Sequence, residues 1–261
     1  AELRGQLREL TVYFSDLAGF TSLAETRRPD ELVTFLSEYF DDMSKIIAAE
    51  RGTVDKYIGD GIMAFWGAPL PLEQHAVHAC IAALRCQERV RELSKSGVEL
   101  VTRIGLATGE VLVGNIGSTE RLNYTVMGDI ANLASRLEGL NKQYGTDLLI
   151  SEKTYEQARS KIVARPLDVV AVKGKKEGVR VFELLAIRGE DKAAEAIEDA
   201  STRALTAYLA RDFATAIAAW NEVLAKRPAD KAATTMRDRA QAFATTPPPP
   251  EWTGVMIAKE K

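Results

Sequence analysis

The sequence predicts an α+β fold, a mixed sheet with helices packed on it, followed by a C-terminal α-helical hairpin. Three observations predict it. β-Branched and aromatic runs alternate with amphipathic helical stretches in two successive sets up to about residue 187. A Gly59-Asp60-Gly61 turn joins two apolar runs as a hairpin. Beyond Gly189 the composition changes to Ala-rich helix. Taken in order, LTVYF (10–14) reads as a strand ending at Ser15-Asp16. A helix over 20–51 follows, with Leu32, Phe35, Leu36, Tyr39, Phe40, Met43, Ile46 and Ile47 at three- and four-residue steps and an early break at Pro29. The hairpin occupies 53–66, a second helix 72–94, a third strand 101–108 and a glycine-framed apolar strand 109–118. Strand 123–126, helix 129–144, strand 147–150, helix 152–160 and strands 169–173 and 179–185 complete this part. The hairpin helices are expected at 193–209 and 213–226, within a unit spanning 190–244. Ala216, Trp220, Val223 and Pro228 match the second helix of a tetratricopeptide repeat, but one repeat builds no solenoid. The run TTPPPP (245–250) reads as a stiff spacer before a tail, 245–261, with Trp252 exposed.

Composition narrows the function classes. With 261 residues, 46% hydrophobic and 27% charged, the chain can bury a full core, which excludes disordered and fibrous classes. Thirty-four basic against 37 acidic residues leave a net charge of −3, so no overall field draws the chain to nucleic acid. Cys80 and Cys86, six apart in one helix, form neither a metal knuckle nor a disulfide framework, which suits a reducing cytoplasm. His75 and His78 lie three apart on the second helix, a spacing that invites a metal reading, but without the partner ligands of a metal site a surface or packing role is expected. No run reaches the length of a bilayer crossing. The start at Ala1, without an initiator methionine, leads us to expect residues 1–9 to be a linker from an upstream regulatory or membrane domain, which could tether the chain to the inner membrane.

Two carboxylates carry the chemistry. Taken singly, Asp16 suits a helix cap and Asp60 a turn. As a pair on turns at one edge of adjacent central strands they repel unless cations neutralise them. Oxygen donors without His or Cys point to Mg²⁺ or Mn²⁺ rather than zinc. Two such ions suit in-line attack at phosphorus, so a nucleotide polyphosphate is the expected substrate. The amides following Asp16, at Leu17 to Phe20, open toward a helix start and invite anions. No GxxxxGK[ST] or strand-linked GxGxxG motif is present, so a different phosphate grip is required.

Five blocks then resemble one family. FSDLAGFT (14–21), DKYIGDGIMAFWG (55–67), GEVLVGNIG (109–117), YTVMGDIANLASRLE (124–138) and VKGK (172–175) are similar, in this order, to the class III nucleotidyl cyclase catalytic domain over residues 10–187. The resemblance implies a ferredoxin-like βαββαβ core with extra strands. It implies attack of the ribose 3′ oxygen on the α-phosphorus of a nucleoside triphosphate, releasing pyrophosphate. Asp16, Asp60 and the Leu17 carbonyl become ligands of two Mg²⁺ or Mn²⁺ ions, and Phe20 and Thr21 substrate-binding residues. Lys56 and Thr125 become the base readers, Asn132 the ribose-orienting group, Arg136 the α-phosphate stabiliser and Lys173 the contact to the outer phosphates.

A Lys donor suits an adenine ring nitrogen and a Thr oxygen can accept from the exocyclic amine, so ATP is favoured over GTP. Thr125, where many relatives have Asp, resembles the class IIIb subgroup, some members of which respond to bicarbonate. Asn132 and Arg136, four apart, share one helical face. Ala107 and Ile130 depart from the frequent His and Thr of the family without touching this set. Lys56 and Asp60, four residues apart on an extended run, would be roughly 13 Å apart. That span favours the family's head-to-tail dimer, with two sites shared between subunits and both halves supplied by each chain. The adenylyl cyclase reading competes with a guanylyl cyclase, with a non-catalytic nucleotide-binding regulatory domain, and with a protein-interaction role for the C-terminal helices.

Overall fold

The computed structural model describes residues 5–94, 99–118, 120–171 and 178–256. Its elements run β1 (Gly5–Ala18), α1 (Phe20–Thr26), α2 (Pro29–Ala49), β2 (Thr53–Ile58), β3 (Gly61–Trp66), α3 (His75–Ser94), β4 (Val101–Gly117), β5 (Leu122–Met127) and α4 (Asp129–Tyr144). They continue with β6 (Leu148–Ser151), α5 (Glu152–Ala158), β7 (Ile162–Ala171), β8 (Gly178–Ile187), α6 (Lys192–Leu209), α7 (Phe213–Lys226), α8 (Lys231–Thr245) and β9 (Val255–Met256). One sheet has the order β2-β3-β1-β4-β6-β8-β7-β9, with β5 folded back on β4. Its pairings are antiparallel except β4 with β6 and β7 with β9.

Strand alternation gives β1 two faces. Tyr13 and Leu17 turn to one core with Tyr39, Met43 and Ile47 of α2 and Cys80 and Cys86 of α3. Leu10 and Val12 turn to a second core with Ala134, Leu137, Leu140 and Tyr144 of α4. The helix α4 lies very close on β4: a Cβ at Gly105 would come within 2.2 Å of the Ala134 carbonyl oxygen. Asn141 fixes the far end of α4. Its buried amide donates to the Ile104 carbonyl at 3.0 Å, and its oxygen accepts from Thr146 at 2.8 Å. Both cysteines are buried and unpaired, and burial pushes the Cys86 thiol up to about 12. His75 shares a 2.8 Å hydrogen bond with Thr11 and lies 3.9 Å from Glu9, and His78 shares one of 2.8 Å with Glu50, so each does have a carboxylate neighbour, contrary to the expectation, but no group of three ligands forms among the described residues.

Several boundaries differ from the expectation. The described part of the expected linker, residues 5–9, is strand: β1 pairs with β4 from Gly5 onward. Pro29 starts a separate helix, because a residue without an N–H fits the first turn where no partner is needed. The two strands expected over 101–118 are one, β4, whose glycines allow close packing instead of breaking the strand. The expected 169–173 strand begins earlier, at Ile162, and its 172–173 end lies outside the described residues.

The C-terminal hairpin gains a third helix, α8. Its buried residues are mostly small, Ala232, Ala233, Met236 and Ala240, so the apolar stripe is faint in sequence. The tail is not a free spacer. Arg211 donates to the Pro248 and Pro249 carbonyls, and Trp252 packs half-buried among Tyr208, Phe213 and Phe243. The chain then adds β9 beside β7. Buried charge pairs join these helices to the sheet. Arg165 meets Glu183 at 2.6 Å and Asp230, the cap of α8, at 2.7 Å. Asp168 accepts from Arg239 at 2.9 Å and from Tyr144 of α4 at 2.8 Å. Among the described residues no helix is long and apolar enough to cross a membrane.

Candidate active site

The carboxylates sit where β1 meets the β2–β3 turn. β1 runs on through Asp16 and ends only at Ala18. β3 pairs with β1 in the register Ile62↔Ser15, which sets Asp60 beside Leu17. The Leu17 amide donates to Asp60 Oδ2 at 3.0 Å, and the Asp16 carboxyl lies near enough to act on that of Asp60. Burial first, and then the contact and charge of Asp16, push Asp60 up to about 6. Neighbouring carboxylates repel, and a cation between them removes that repulsion. The donors are all oxygens, so the pair fits a hard divalent ion.

The turn allows this approach because Gly61 faces the Ser15 carbonyl, where a Cβ would lie at 2.6 Å. Gly19 then takes φ +88° and starts α1, so the first amides of that helix, those of Phe20 and Thr21, follow Asp16 within one turn of chain. Arg103 stands opposite Asp16 on β4, in register and partly exposed. Directly opposed side chains on neighbouring antiparallel strands lie on one face, so Arg103 adds a cation beside the carboxylates. Sequence reasoning missed it. The signal was a single charge inside the apolar run VTRIGLA.

Asn132 and Arg136 lie on α4, and Ala134 and Leu137 between and beyond them are buried, which turns both polar groups away from the core. Arg136 is partly exposed and has no hydrogen bond or ion pair among the described residues, so its charge is available to an anion.

The expected base readers meet. The Thr125 hydroxyl donates to Asp55 Oδ2 at 2.5 Å, and Lys56 Nζ lies 3.5 Å from Asp55 Oδ1. Asp55 was not among the expected site residues. It opens the block DKYIGDGIMAFWG, but its place beside Thr125 could not be read there, because it depends on a β-bulge between Val54 and Lys56. Lys56 and Asp60 do not lie on one extended run as expected: β2 ends at Ile58 and the chain reverses, so the extended span overstates their separation. Lys173 lies outside the described residues. One further feature is an exposed apolar row across three strands, Leu7, Leu112 and Met127, neighbours in register. Tyr57 and Ile58 add exposed apolar surface at the hairpin.

Residues 4–185 match the model of the adenylate and guanylate cyclase catalytic domain. The chain is 42% identical over 185 residues to adenylate cyclase 1 of Rhizobium meliloti, covering 69% of this chain and 28% of that protein. It is 37% identical over 188 residues to an adenylate cyclase of Anabaena cylindrica, covering 69% and 37%. The chain thus spans well under half the length of these relatives. Among solved structures it resembles the adenylyl cyclase CyaB of P. aeruginosa, at 34% identity and TM-score 0.65, over 72% of this chain and 100% of that one. It also resembles the guanylyl cyclase Cya2, at 35% identity and TM-score 0.63, over 72% and 97%.

Proposed function

Because the chain belongs to the adenylate and guanylate cyclase catalytic domain family, we propose that it converts ATP to 3′,5′-cyclic AMP and pyrophosphate, with residues 10–187 as the catalytic unit. The observation that carries this reading is the Asp16–Asp60 pair, two neighbouring carboxyls at a sheet end, with Asp60 half-buried and its pKa raised by burial and by Asp16. The family is metal-dependent, and here Asp16, Asp60 and the Leu17 carbonyl would hold two Mg²⁺ or Mn²⁺ ions. When bound, such ions neutralise the triphosphate and activate the attacking ribose oxygen.

The chain's own groups do the positioning. The amides of Phe20 and Thr21 receive phosphate oxygens at the start of α1. Arg103 and Lys173 meet the outer phosphates. Asn132 orients the ribose so that its 3′ oxygen lies in line with the α-phosphorus, and Arg136 quenches charge on the α-phosphate as pyrophosphate leaves. No side chain is assigned as general base, since orientation and charge neutralisation suffice for loose phosphoryl transfer.

Likeness to both adenylyl and guanylyl cyclases leaves the base to the residues that face it. Lys56 as donor and Thr125 as acceptor match adenine. A guanylyl cyclase is the alternative, as is a regulatory domain that binds nucleotide without turnover; retention of Asp16, Asp60, Asn132 and Arg136 supports catalysis. The exposed row Leu7, Leu112 and Met127 supports a head-to-tail homodimer, because contiguous apolar surface across three strands is costly in water. In that dimer each site takes its carboxylates from one chain and its base readers, Asn132 and Arg136 from the other. The helices beyond residue 190 are assigned to packing on the catalytic unit, with protein contacts as a secondary role.

Product analysis tests the proposal. Purified chain incubated with ATP or GTP and either metal should yield cyclic AMP, and Asp60→Asn should abolish it. Cyclic GMP as the main product, or no product with any metal, overturns it.

A further inference from the structure

We infer that Asp55 sets the base preference of this site by fixing which way the Thr125 hydroxyl points. The inference rests on the reading of Lys56 and Thr125 as base readers and deepens it. A hydroxyl alone is a poor discriminator, since it rotates to donate or to accept. Beside an adenine it can accept from the 6-amine, and beside a 6-oxopurine it can donate to the carbonyl. Asp55 removes that freedom. Its carboxylate only accepts, so the Thr125 proton is committed to Asp55 Oδ2 at 2.5 Å and the outward side of the oxygen carries lone pairs alone. The other carboxylate oxygen lies 3.5 Å from Lys56 Nζ and holds that ammonium beside the hydroxyl.

The result is a donor next to an obligate acceptor, the complement of the adenine edge and the reverse of the guanine edge. Burial makes the arrangement firm. The Asp55 side chain is 1% exposed, so water does not compete for it, while Lys56 remains 46% exposed and reachable. Thr125 is 8% exposed. The β-bulge supplies the geometry. Val54 pairs with Ala64 and Lys56 with Met63, leaving Asp55 as the unpaired extra residue. A bulge re-aims side chains that regular alternation would send to opposite faces, so adjacent residues 55 and 56 serve one site.

The test is the ratio of kcat/KM for ATP to that for GTP, measured on the full chain. Asp55→Asn presents an amide that can donate to Thr125 and release its proton outward. We expect the ratio to fall by about ten-fold or more, with ATP turnover losing and GTP turnover holding or gaining. In a Thr125→Val background the same substitution should change the ratio by less than about three-fold, because the hydroxyl it acts through is gone. A parallel fall for both nucleotides at constant ratio would show Asp55 to be merely structural and overturn the inference.

Lys56→Met and Thr125→Val separate the two levels. If neither moves the ratio, the base-reader reading itself fails. If both move it and Asp55→Asn does not, only the role of Asp55 fails. Should Asp55→Asn not fold, the unaltered chain still decides through inhibition by N6-methyl-ATP and 6-methoxypurine riboside triphosphate. These are close in shape and keep the ring-nitrogen lone pair, but offer a donor and an acceptor at position 6. An obligate acceptor should favour the first by about ten-fold; equal inhibition overturns the inference.

Discussion

Gly105→Ala is a sharp test of whether the close seating of α4 on β4 organises the site. A Cβ there would lie 2.2 Å from the Ala134 carbonyl oxygen and 2.4 Å from the Glu138 amide nitrogen, against 3.4 Å for an ordinary contact. Both obstacles are helix backbone, so no side-chain rotation relieves them. The helix must retreat by about 3.4 − 2.2 = 1.2 Å. It carries Asn132 and Arg136, while Arg103 stays on β4 two residues from the substitution. A misplacement of about 1 Å of reacting or stabilising groups costs on the order of 10²-fold in rate. Overpacking itself costs roughly 1–3 kcal/mol, so the fold should survive. We expect kcat for cyclic AMP formation to fall about 100-fold, with a smaller change in KM for ATP, in steady-state assays paired with urea unfolding. A kcat within three-fold of the unaltered chain would refute the seating of α4 as the organiser of the site.

Three further predictions follow from the same geometry. Asp60 is raised above its ordinary value of 3.8, so its charged form destabilises the metal-free fold at pH above about 6, and the penalty is lifted as pH falls below that value. In chelator at pH 8, Asp60→Asn should therefore melt higher than the unaltered chain, the difference vanishing near pH 4, and Mg²⁺ should raise Tm only for the unaltered chain. Mixing Asp16→Ala with Arg136→Ala should recover about a quarter of normal activity, since random pairing makes half the dimers mixed and each has one intact site of two; no recovery counts against shared sites. Asp168→Ala leaves Arg239 and the Tyr144 hydroxyl without their buried acceptor and should cost about 3–5 kcal/mol in urea unfolding, with Asp168→Asn costing less.

Much was legible in the chain because local patterns carry it. The stripe of α2, the Gly-Asp-Gly turn and the Asn132/Arg136 spacing are short-range features that hydrophobic period and turn chemistry fix. Elements that depend on distant partners were less legible. The helix α8 buries mainly alanines, most of them against α6 and α7, and Trp252 finds its aromatic cage only when the tail returns to it.

The amino-acid order by itself determined the alternating strands and helices, the acidic pair and the family resemblance, since each is written in residues close along the chain. Only the tertiary structure decided that Asp16 and Asp60 are neighbours, that Arg103 pairs with Asp16 across two strands and that a bulge carries Asp55 to Thr125, 70 residues away. The physical reason is register. Which side chains face one another across a sheet is set by cross-strand pairing, and a one-residue shift in that pairing reverses the answer.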